Sequence, residues 1–289
     1  MVSFDHKSIR LFEKIILVFL NIFNFFRNKN NLRILVYHHV EKKDFKKLYN
    51  QLKSLKKKWN FITPKEFENH LNKKNILKGR NLLVTFDDGF KSNFFVEKNI
   101  LNRLHIKAIF FVPSDFIKLK SRQKSQKFIN DNILDHLKPK DFKKLKNMSV
   151  HDLKILLSKG HEIGSHTKTH ANLGFMRSVS SLKKEIIESS KTLGKLLQTD
   201  IKHFAFSYGN YESMNYKSLK IAFKKYDFIY SCLRGNNFYN YKDSLIKRDT
   251  VYLDSSDDLL KIFLSGFIDL KYLFQIKKMN NKITEMRKK

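Results

Sequence analysis

The chain alternates short β-rich runs with helical stretches from residue 31 onward, and this alternation limits the folds open to it. Seven runs are predicted as strands: 33–38, 60–62, 82–86, 107–112, 161–165, 203–207 and 227–232. Helical patterns lie at about 45–58, 65–73, 91–104, 149–158, 178–198 and 212–225. Repeated βα units indicate a parallel sheet covered by helices. So many units in 289 residues favour a closed α/β barrel of the TIM type, with an open doubly wound sheet as the alternative.

The chain carries 58 Lys and Arg against 27 Asp and Glu, a formal net charge of +31. Such a charge suggests nucleic-acid binding, because basic faces attract phosphate. The lysines, however, are spread over helices, the segment 117–147 and the end of the chain instead of one element. This spread argues against a nucleic-acid partner. A single cysteine, Cys232, excludes a disulfide framework and a cysteine-based metal cluster.

Composition divides the chain into three parts. Residues 1–30 contain a Phe-, Ile- and Leu-rich segment with basic flanks, predicted as an amphipathic helix at 9–27. Its uninterrupted apolar run is shorter than the ~20 residues that span a bilayer, and no small-residue cleavage site follows it. Residues 31–270 are predicted to form the barrel, with 117–147 as a lysine-rich insertion that is mobile or partly helical. Residues 271–289 are predicted to be a frayed basic tail.

The segment 9–27 has three interpretations. It fits a helix lying in the headgroup layer of an anionic membrane and, equally well, a helix packed on the barrel. An uncleaved signal anchor is the third. The first predicts a protein at the inner surface of a bacterial membrane, and the second a cytoplasmic one. The oligomeric state has no signal in the sequence.

One predicted strand runs directly into two adjacent carboxylates and a glycine, in the sequence LLVTFDDG at 82–89. Adjacent strand residues point to opposite faces, so Asp87 and Asp88 share one surface only if the chain bends, and Gly89 permits the bend. The carboxyl end of a strand is where barrel enzymes carry their catalytic groups. Taken alone, the pair fits an ordinary solvated Asp-Gly turn equally well.

A second predicted strand, 161–165, ends in polar residues that include His166 and His170. Two histidines four residues apart can converge on one cation, and imidazole is the commonest metal-binding side chain. With a carboxylate from another strand end, they would form a two-histidine, one-carboxylate site that leaves positions open for water and substrate. Such a donor set suits Zn²⁺, Co²⁺, Ni²⁺ or Fe²⁺.

Together the two motifs resemble the signature of polysaccharide deacetylases, the NodB-homology group or carbohydrate esterase family 4. TFDDG is followed in order by HTKTH (166–170), FAFSYGNY (204–211) and LIKRDTVY (245–252), and LVYHHV (35–40) is similar to an opening strand in one bacterial subgroup. The resemblance covers roughly residues 31–255. Members of this family fold as a distorted (β/α)7 barrel, so the resemblance implies that fold here.

The resemblance also implies a role for each matching residue. Asp88, His166 and His170 would bind a divalent metal, usually Zn²⁺, and Asp87 would be the general base. The backbone N–H of Tyr208 would help to form an oxyanion hole. The implied activity is removal of N-acetyl groups from amino sugars of a polysaccharide or lipid-linked glycan, which the chemistry of a metal-polarised amide supports.

Two departures from the family pattern bear on the mechanism. Ala205 stands where many members carry an arginine that steers the base, and Arg248 could supply that cation from the late strand. No histidine follows His203, although members often use a late histidine to protonate the leaving amine. His38, His39 or a metal-bound water could take that role, and ordinary packing is the other interpretation of both histidines. The departures leave an alternative function open, a non-catalytic glycan- or metal-binding module on the same fold.

Overall fold

The computed structural model describes residues 30–133, 145–240 and 244–288. The amphipathic segment predicted at 9–27 and the middle of the lysine-rich insertion lie outside these residues. Within them, no helix is both long and apolar enough to cross a membrane.

The described residues contain nine strands in one sheet with parallel pairing. They are β1 (Asn31–Tyr37), β2 (Asn60–Phe61), β3 (Arg80–Phe86), β4 (Ala108–Val112), β5 (Glu162–Ser165), β6 (His203–Ala205), β7 (Phe228–Tyr230), β8 (Leu245–Ile246) and β9 (Asp249–Thr250). Apart from β2, which pairs only with β3, the strands follow one another in chain order from β1 to β8. An open doubly wound sheet reverses direction at a switch point, and this order has none, so that alternative is wrong.

A single short segment joins the two edges of the sheet. β8 pairs with β7, β9 pairs with β1, and only Lys247 and Arg248 separate β8 from β9. Residues 245–250 therefore serve as a seventh, interrupted strand between β7 and β1. The architecture is the distorted (β/α)7 barrel that the family resemblance implied.

Apolar side chains on both faces of the strands hold the barrel between two cores. One buried set fills the interior and includes Leu32, Ile34, Leu83, Ile109 and Phe111. A second set alternates with the first along the same strands and packs against the helices: Leu35, Val84 and Phe110. Strands that are apolar on both faces are typical of parallel sheets covered by helices.

Ten helices surround the barrel in the part of the chain that is described. They are α1 (Phe45–Lys56), α2 (Pro64–Leu71), α3 (Lys91–Val96, Glu97–Leu101 and Asn102–Leu104), α4 (Ser114–Ile117), α5 (Arg122–Asn132), α6 (Val150–Ser158), α7 (Val179–Lys183, Lys184–Glu188 and Ser189–Leu197), α8 (Tyr216–Lys225), α9 (Asp257–Ser265) and α10 (Leu273–Lys288). The middle pieces of α3 and α7 are π-helical turns. Ser149 caps α6 in a reciprocal capping box with Asp152, which satisfies backbone N–H groups of the first turn.

Helix α10 corrects the prediction of a frayed tail after residue 270. Met279, Ile283 and Met286 are spaced on one helix face and are only 1%, 6% and 7% exposed. This face packs beside α8, and the Lys282 ammonium donates a hydrogen bond to the Met214 carbonyl. Burial of these three side chains outweighs the charge of the surrounding lysines, so the segment is part of the folded domain.

The described part of the lysine-rich insertion lies against the first carboxylate motif. Its helix α5 ends at Asn132. At the other end of the insertion, Asn147 pairs with Phe90 in an isolated antiparallel β-bridge. The Lys91 N–H donates to the Lys146 carbonyl at 2.8 Å, and the Met148 N–H donates to the Gly89 carbonyl at 2.8 Å. The insertion therefore lies beside the carboxyl end of β3, next to Asp87 and Asp88.

Candidate metal centre

Asp88, His166 and His170 meet beyond the carboxyl ends of β3 and β5. One donor atom from each residue lies within 4.8 Å of the other two. The Asp88 Oδ1 atom is 3.3 Å from Nε2 of His170 and 3.6 Å from Nε2 of His166. All three side chains are buried. The structure thus brings together the three residues that the sequence predicted as metal ligands.

Backbone carbonyls fix the orientation of both histidines. Nδ1 of His166 donates to the Ala205 carbonyl at 2.9 Å, and Nδ1 of His170 donates to the Asn132 carbonyl at 2.8 Å. A carbonyl only accepts, so each Nδ1 carries a proton, and in the neutral form of each ring the lone pair is on Nε2, the atom that faces Asp88. This is the tautomer in which histidine binds a metal through Nε2. The donor set therefore fits a divalent cation.

The protonation states of the cluster agree with a metal site. Burial lowers the pKa of His166 to about 4, so its ring is neutral at physiological pH. Burial also opposes protonation of His170, but the Asp88 carboxylate outweighs it and raises the pKa of His170. Burial would raise the pKa of Asp88, yet the adjacent His170, His38 and His166 hold it well below its usual range. Metal ligands must be deprotonated, and the carboxylate and one imidazole already are.

The backbone at this end of the barrel adopts unusual angles. Seven non-glycine residues in the described part of the chain have a positive φ. Three of them follow the ends of helices, where this conformation is common: Lys73, His105 and Gln198. The other four lie at the candidate site: Asp88 (71°), Thr167 (64°), His170 (65°) and Tyr208 (65°). Each such residue costs about 1–3 kcal/mol, and strain of this kind concentrates at functional sites.

Arg248 holds Asp87 through a buried two-pronged ion pair. Nη1 of Arg248 donates to Oδ1 of Asp87 at 2.7 Å and Nη2 donates to Oδ2 at 2.9 Å. Nε of the same guanidinium donates to the Ser231 carbonyl at 3.0 Å, and the group stacks 5.0 Å above the Phe111 ring. Bidentate pairs fix both the position and the charge of a carboxylate. Arg248 thus places a guanidinium beside Asp87, a group that Ala205 does not offer.

Asp87 is ionised and adjoins the metal-ligand cluster. Burial would raise the pKa of Asp87, but the Arg248 guanidinium, with His166 and His38, lowers it below its ordinary value. Since His166 is neutral at physiological pH, it is the permanent charge of Arg248 that lowers the pKa of Asp87 there. The Asp87 Oδ2 atom lies 3.9 Å from Nε2 of His166. An ionised carboxylate at this distance can accept a proton from a group bound at the cluster.

Tyr208 forms the rim of the site next to His170. The centres of their rings are 5.2 Å apart. Tyr208 and Gly209 both have a positive φ, which produces a tight turn after β6. A Cβ atom on Gly209 would approach the Cys232 backbone nitrogen to 2.6 Å. The Cys232 N–H donates to the Gly209 carbonyl at 2.7 Å, so the turn that carries Tyr208 is held against Cys232.

The two histidines after β1, His38 and His39, have different surroundings. His38 is half-buried, and its charge lowers the pKa of Asp88. Nδ1 of His39 instead lies 2.8 Å from the Ser92 hydroxyl, and its ring packs edge-on against Phe90. Both histidines therefore lie close enough to Asp88 to interact with its charge, and His39 in addition contacts Ser92 and Phe90.

Two partners of the site had no signal in the sequence. They are the backbone carbonyls of Ala205 and Asn132, which orient the histidines. A carbonyl is common to every residue, so no residue type could have marked them. Asn132 comes from the lysine-rich insertion, whose composition suggested only a surface excursion.

Comparisons with known proteins place the chain in a family. Residues 74–222, about half of the chain, match the polysaccharide deacetylase family. The match includes both carboxylates, both histidines and Tyr208, whereas His38 and Arg248 lie outside it. No curated protein sequence matches the chain.

Solved structures share the fold at low sequence identity. The deacetylase PplD of Streptococcus pyogenes, in complex with acetate, has 18% identity and a TM-score of 0.61, over 82% of this chain and 99% of that chain. IcaB from Ammonifex degensii has 18% identity and a TM-score of 0.60, over 83% and 97%. A de-N-acetylase from Aggregatibacter actinomycetemcomitans has 16% identity and a TM-score of 0.59, over 81% and 100%. Together with the sequence match, these likenesses identify the chain as a member of the polysaccharide deacetylase family.

Proposed function

We propose that the protein is a metal-dependent hydrolase that removes N-acetyl groups from amino sugars of a polysaccharide or lipid-linked glycan. One observation carries the proposal: three buried donor atoms converge beside an ionised carboxylate that a buried arginine holds in place. Family membership supports the same enzyme class. The names of the similar solved structures, two of them deacetylases, accord with it.

Asp88, His166 and His170 would hold the metal. Two neutral imidazole nitrogens and one carboxylate suit Zn²⁺ best, and Co²⁺, Ni²⁺ and Fe²⁺ share the preference. When bound, the cation would polarise the acetamide carbonyl and increase the acidity of water at the site. The hydrogen bonds from Nδ1 of both histidines to backbone carbonyls orient the rings for this role.

Asp87 would accept the proton of the attacking water on a carboxylate oxygen. Arg248 keeps the carboxylate ionised and fixed, so that its oxygens remain aimed at the reacting centre. The backbone N–H of Tyr208 would donate to the oxygen on which negative charge develops, since the turn that carries it is held against Cys232. His38 is the candidate to protonate the leaving amine.

The test is acetate release from N-acetylated oligosaccharides, with the metal content of the same preparation measured alongside. We expect release that stops on chelation, returns with Zn²⁺ or Co²⁺, and falls at least about 100-fold in Asp87→Asn. The matched control is Asp115→Asn, since Asp115 pairs with Lys118 at the surface. An unchanged rate after complete removal of metal would refute metal dependence. Saturable glycan binding without turnover under any metal would favour the alternative, a non-catalytic binding module on the same fold.

We propose further that the protein works at an anionic membrane surface. The apolar, basic sequence at 9–27 supports this, as do three exposed apolar side chains near the start of α10, Leu270, Leu273 and Phe274. Lysines follow them at 271, 277 and 278. We expect the full chain to sediment with phosphatidylglycerol liposomes and a chain that starts at Asn28 to sediment less. Equal sedimentation of both would contradict an anchoring role for 9–27.

A further inference from the structure

Two cavities are lined by residues that follow β1, β3 and β4 in the chain. The first, about 440 Å³, is lined by residues that follow β1 and β3, including His39 and Phe90. The second, about 730 Å³, lies between α4, α5 and the start of α6. Lys91 and Lys146 line both cavities, so the two adjoin. We call these two adjoining cavities together the lysine groove.

The lysine groove begins beside the proposed catalytic residues. Phe90 and Lys91 follow Asp88 and Gly89 in the chain, and Gly89 accepts a hydrogen bond from Met148, which follows the cavity-lining Lys146 and Asn147. His39, on the first wall, directly follows the histidine whose charge reaches Asp88. A glycan with one N-acetylated sugar at the metal centre would therefore place neighbouring sugars over this groove.

Cations dominate the groove more than they dominate the whole chain. Among the described residues that line the two cavities there is one acid, Asp152, and six cations: Lys42, Lys91, Lys118, Lys120, Arg122 and Lys146. The whole chain has 58 basic against 27 acidic residues, about two to one. The lining of the two cavities is therefore net positive.

Several of these cations pair with no acid in the described part of the chain. Asp152 is neutralised by Lys91, whose ammonium lies 2.6 Å from both carboxylate oxygens, and Lys118 pairs with Asp115 at 2.6 Å. Lys42, Lys120 and Lys146 are exposed and form no ion pair with any residue that the structure describes. Their field is therefore available to a bound anion.

The first cavity also offers aromatic surface. Phe45, Phe90 and Phe95 line it, and Phe95 is 43% exposed. Binding sites for small ligands combine apolar and aromatic walls with a few charged groups that fix orientation. Aromatic rings suit the apolar faces of sugars, and the lysines suit oxygen anions attached to those sugars.

We propose that the lysine groove binds an anionic part of the substrate, so that the preferred glycan carries carboxylate or phosphate groups next to its N-acetylated sugar. This inference rests on the proposed deacetylase function. It narrows the substrate class from amino-sugar glycans in general to acidic ones. Because the three unpaired lysines are exposed, salt weakens their attraction, and the preference for acidic substrates falls as ionic strength rises.

The experiment compares three N-acetylated oligomers: neutral chitopentaose, a heparosan hexasaccharide that carries carboxylates, and an oligomer of N-acetylglucosamine 1-phosphate. The groove variant is Lys42→Gln/Lys120→Gln/Lys146→Gln. Its matched control is Lys183→Gln/Lys195→Gln/Lys224→Gln, which removes the same charge from exposed positions on α7 and α8. Binding of each oligomer is measured by calorimetry, and acetate release is measured in parallel.

We expect the wild type to have a kcat/KM at least ten-fold higher for one of the acidic oligomers than for chitopentaose. Which of the two acidic oligomers it prefers shows whether the groove selects carboxylate or phosphate. The groove variant should lose that preference through KM, with kcat and the rate on chitopentaose unchanged, while the control keeps it. A wild type that favours chitopentaose, or equal losses in both triple variants, would overturn the inference. If no oligomer is deacetylated, the proposed function fails. Acidic oligomers that bind the wild type and control but not the groove variant would still support the groove.

Discussion

Replacement of Arg248 by Gln tests the ion pair that holds the proposed base. The substitution removes both hydrogen bonds to Asp87 and the bond to the Ser231 carbonyl, all in a fully buried setting. Removal of one partner from a buried ion pair costs about 3–5 kcal/mol, because the other charge remains desolvated and unpaired. We expect a loss of stability in this range. Since a displacement of about 1 Å can cost about 100-fold, we expect kcat to fall at least that much.

A double-mutant cycle separates the ion pair from the loss of packing. Urea unfolding is measured for Arg248→Gln, Asp87→Asn and the double variant. Arg248→Gln leaves the buried Asp87 carboxylate without its counter-ion, and Asp87→Asn removes that charge. The double variant should be about 1–3 kcal/mol more stable than the sum of the single effects predicts. Arg248→Lys is the matched control, since it keeps the charge but loses the two-pronged geometry, and should retain part of the stability. Additive effects within about 0.5 kcal/mol would refute the reasoning.

Three further substitutions test other features by urea unfolding, each with its own comparison. Gly209→Ala should cost about 2–4 kcal/mol, from the positive φ and the 2.6 Å approach to a neighbouring backbone nitrogen, whereas Gly79→Ala, with a similar φ and no atom within 4 Å, should cost about 1 kcal/mol. Met279→Ala should cost about 2–5 kcal/mol and Asn280→Ala less than about 0.5 kcal/mol, and equal effects would mean that α10 does not pack. Asp152→Asn should cost about 1 kcal/mol at pH 7. Burial would raise the pKa of Asp152, but Lys91 and Ser149 hold it below 3.8. The stability that the ionised carboxylate contributes is therefore present above pH 3.8 and lost at lower pH. The difference in free energy of unfolding between wild type and Asp152→Asn should narrow at that lower pH.

Much of the fold could be predicted from the sequence because the strands are apolar on both faces. Such runs, bounded by polar segments, differ clearly from the helices between them, and the seven predicted strands are confirmed with small shifts at their ends. Helix α10 could not be predicted in the same way. Its three buried residues are diluted by lysines and asparagines, and only the partner surface on α8 shows which face is buried.

The candidate site likewise contains residues that could be predicted from the sequence and partners that could not. Asp87, Asp88, His166 and His170 could be identified because their side chains are chemically distinctive and follow strand ends. Their backbone partners could not, because a hydrogen bond to a carbonyl depends on where the chain passes in space. The pairing of Arg248 with Asp87 could be suggested only through the resemblance of the late strand to the family, since 161 positions separate the two residues in the chain.

The interrupted strand at 245–250 has a consequence for folding kinetics. The ring of strands closes only when this late segment docks between β7 and β1. Its contacts with β1 and with Asp87 join residues 161 to 216 positions apart. Contacts of such long range slow folding, because a large loop must close before they form. During synthesis, Asp87 is made long before Arg248, so the carboxylate lacks its counter-ion until nearly the whole domain has emerged. Barrel closure and positioning of the proposed base therefore depend on the docking of the same segment.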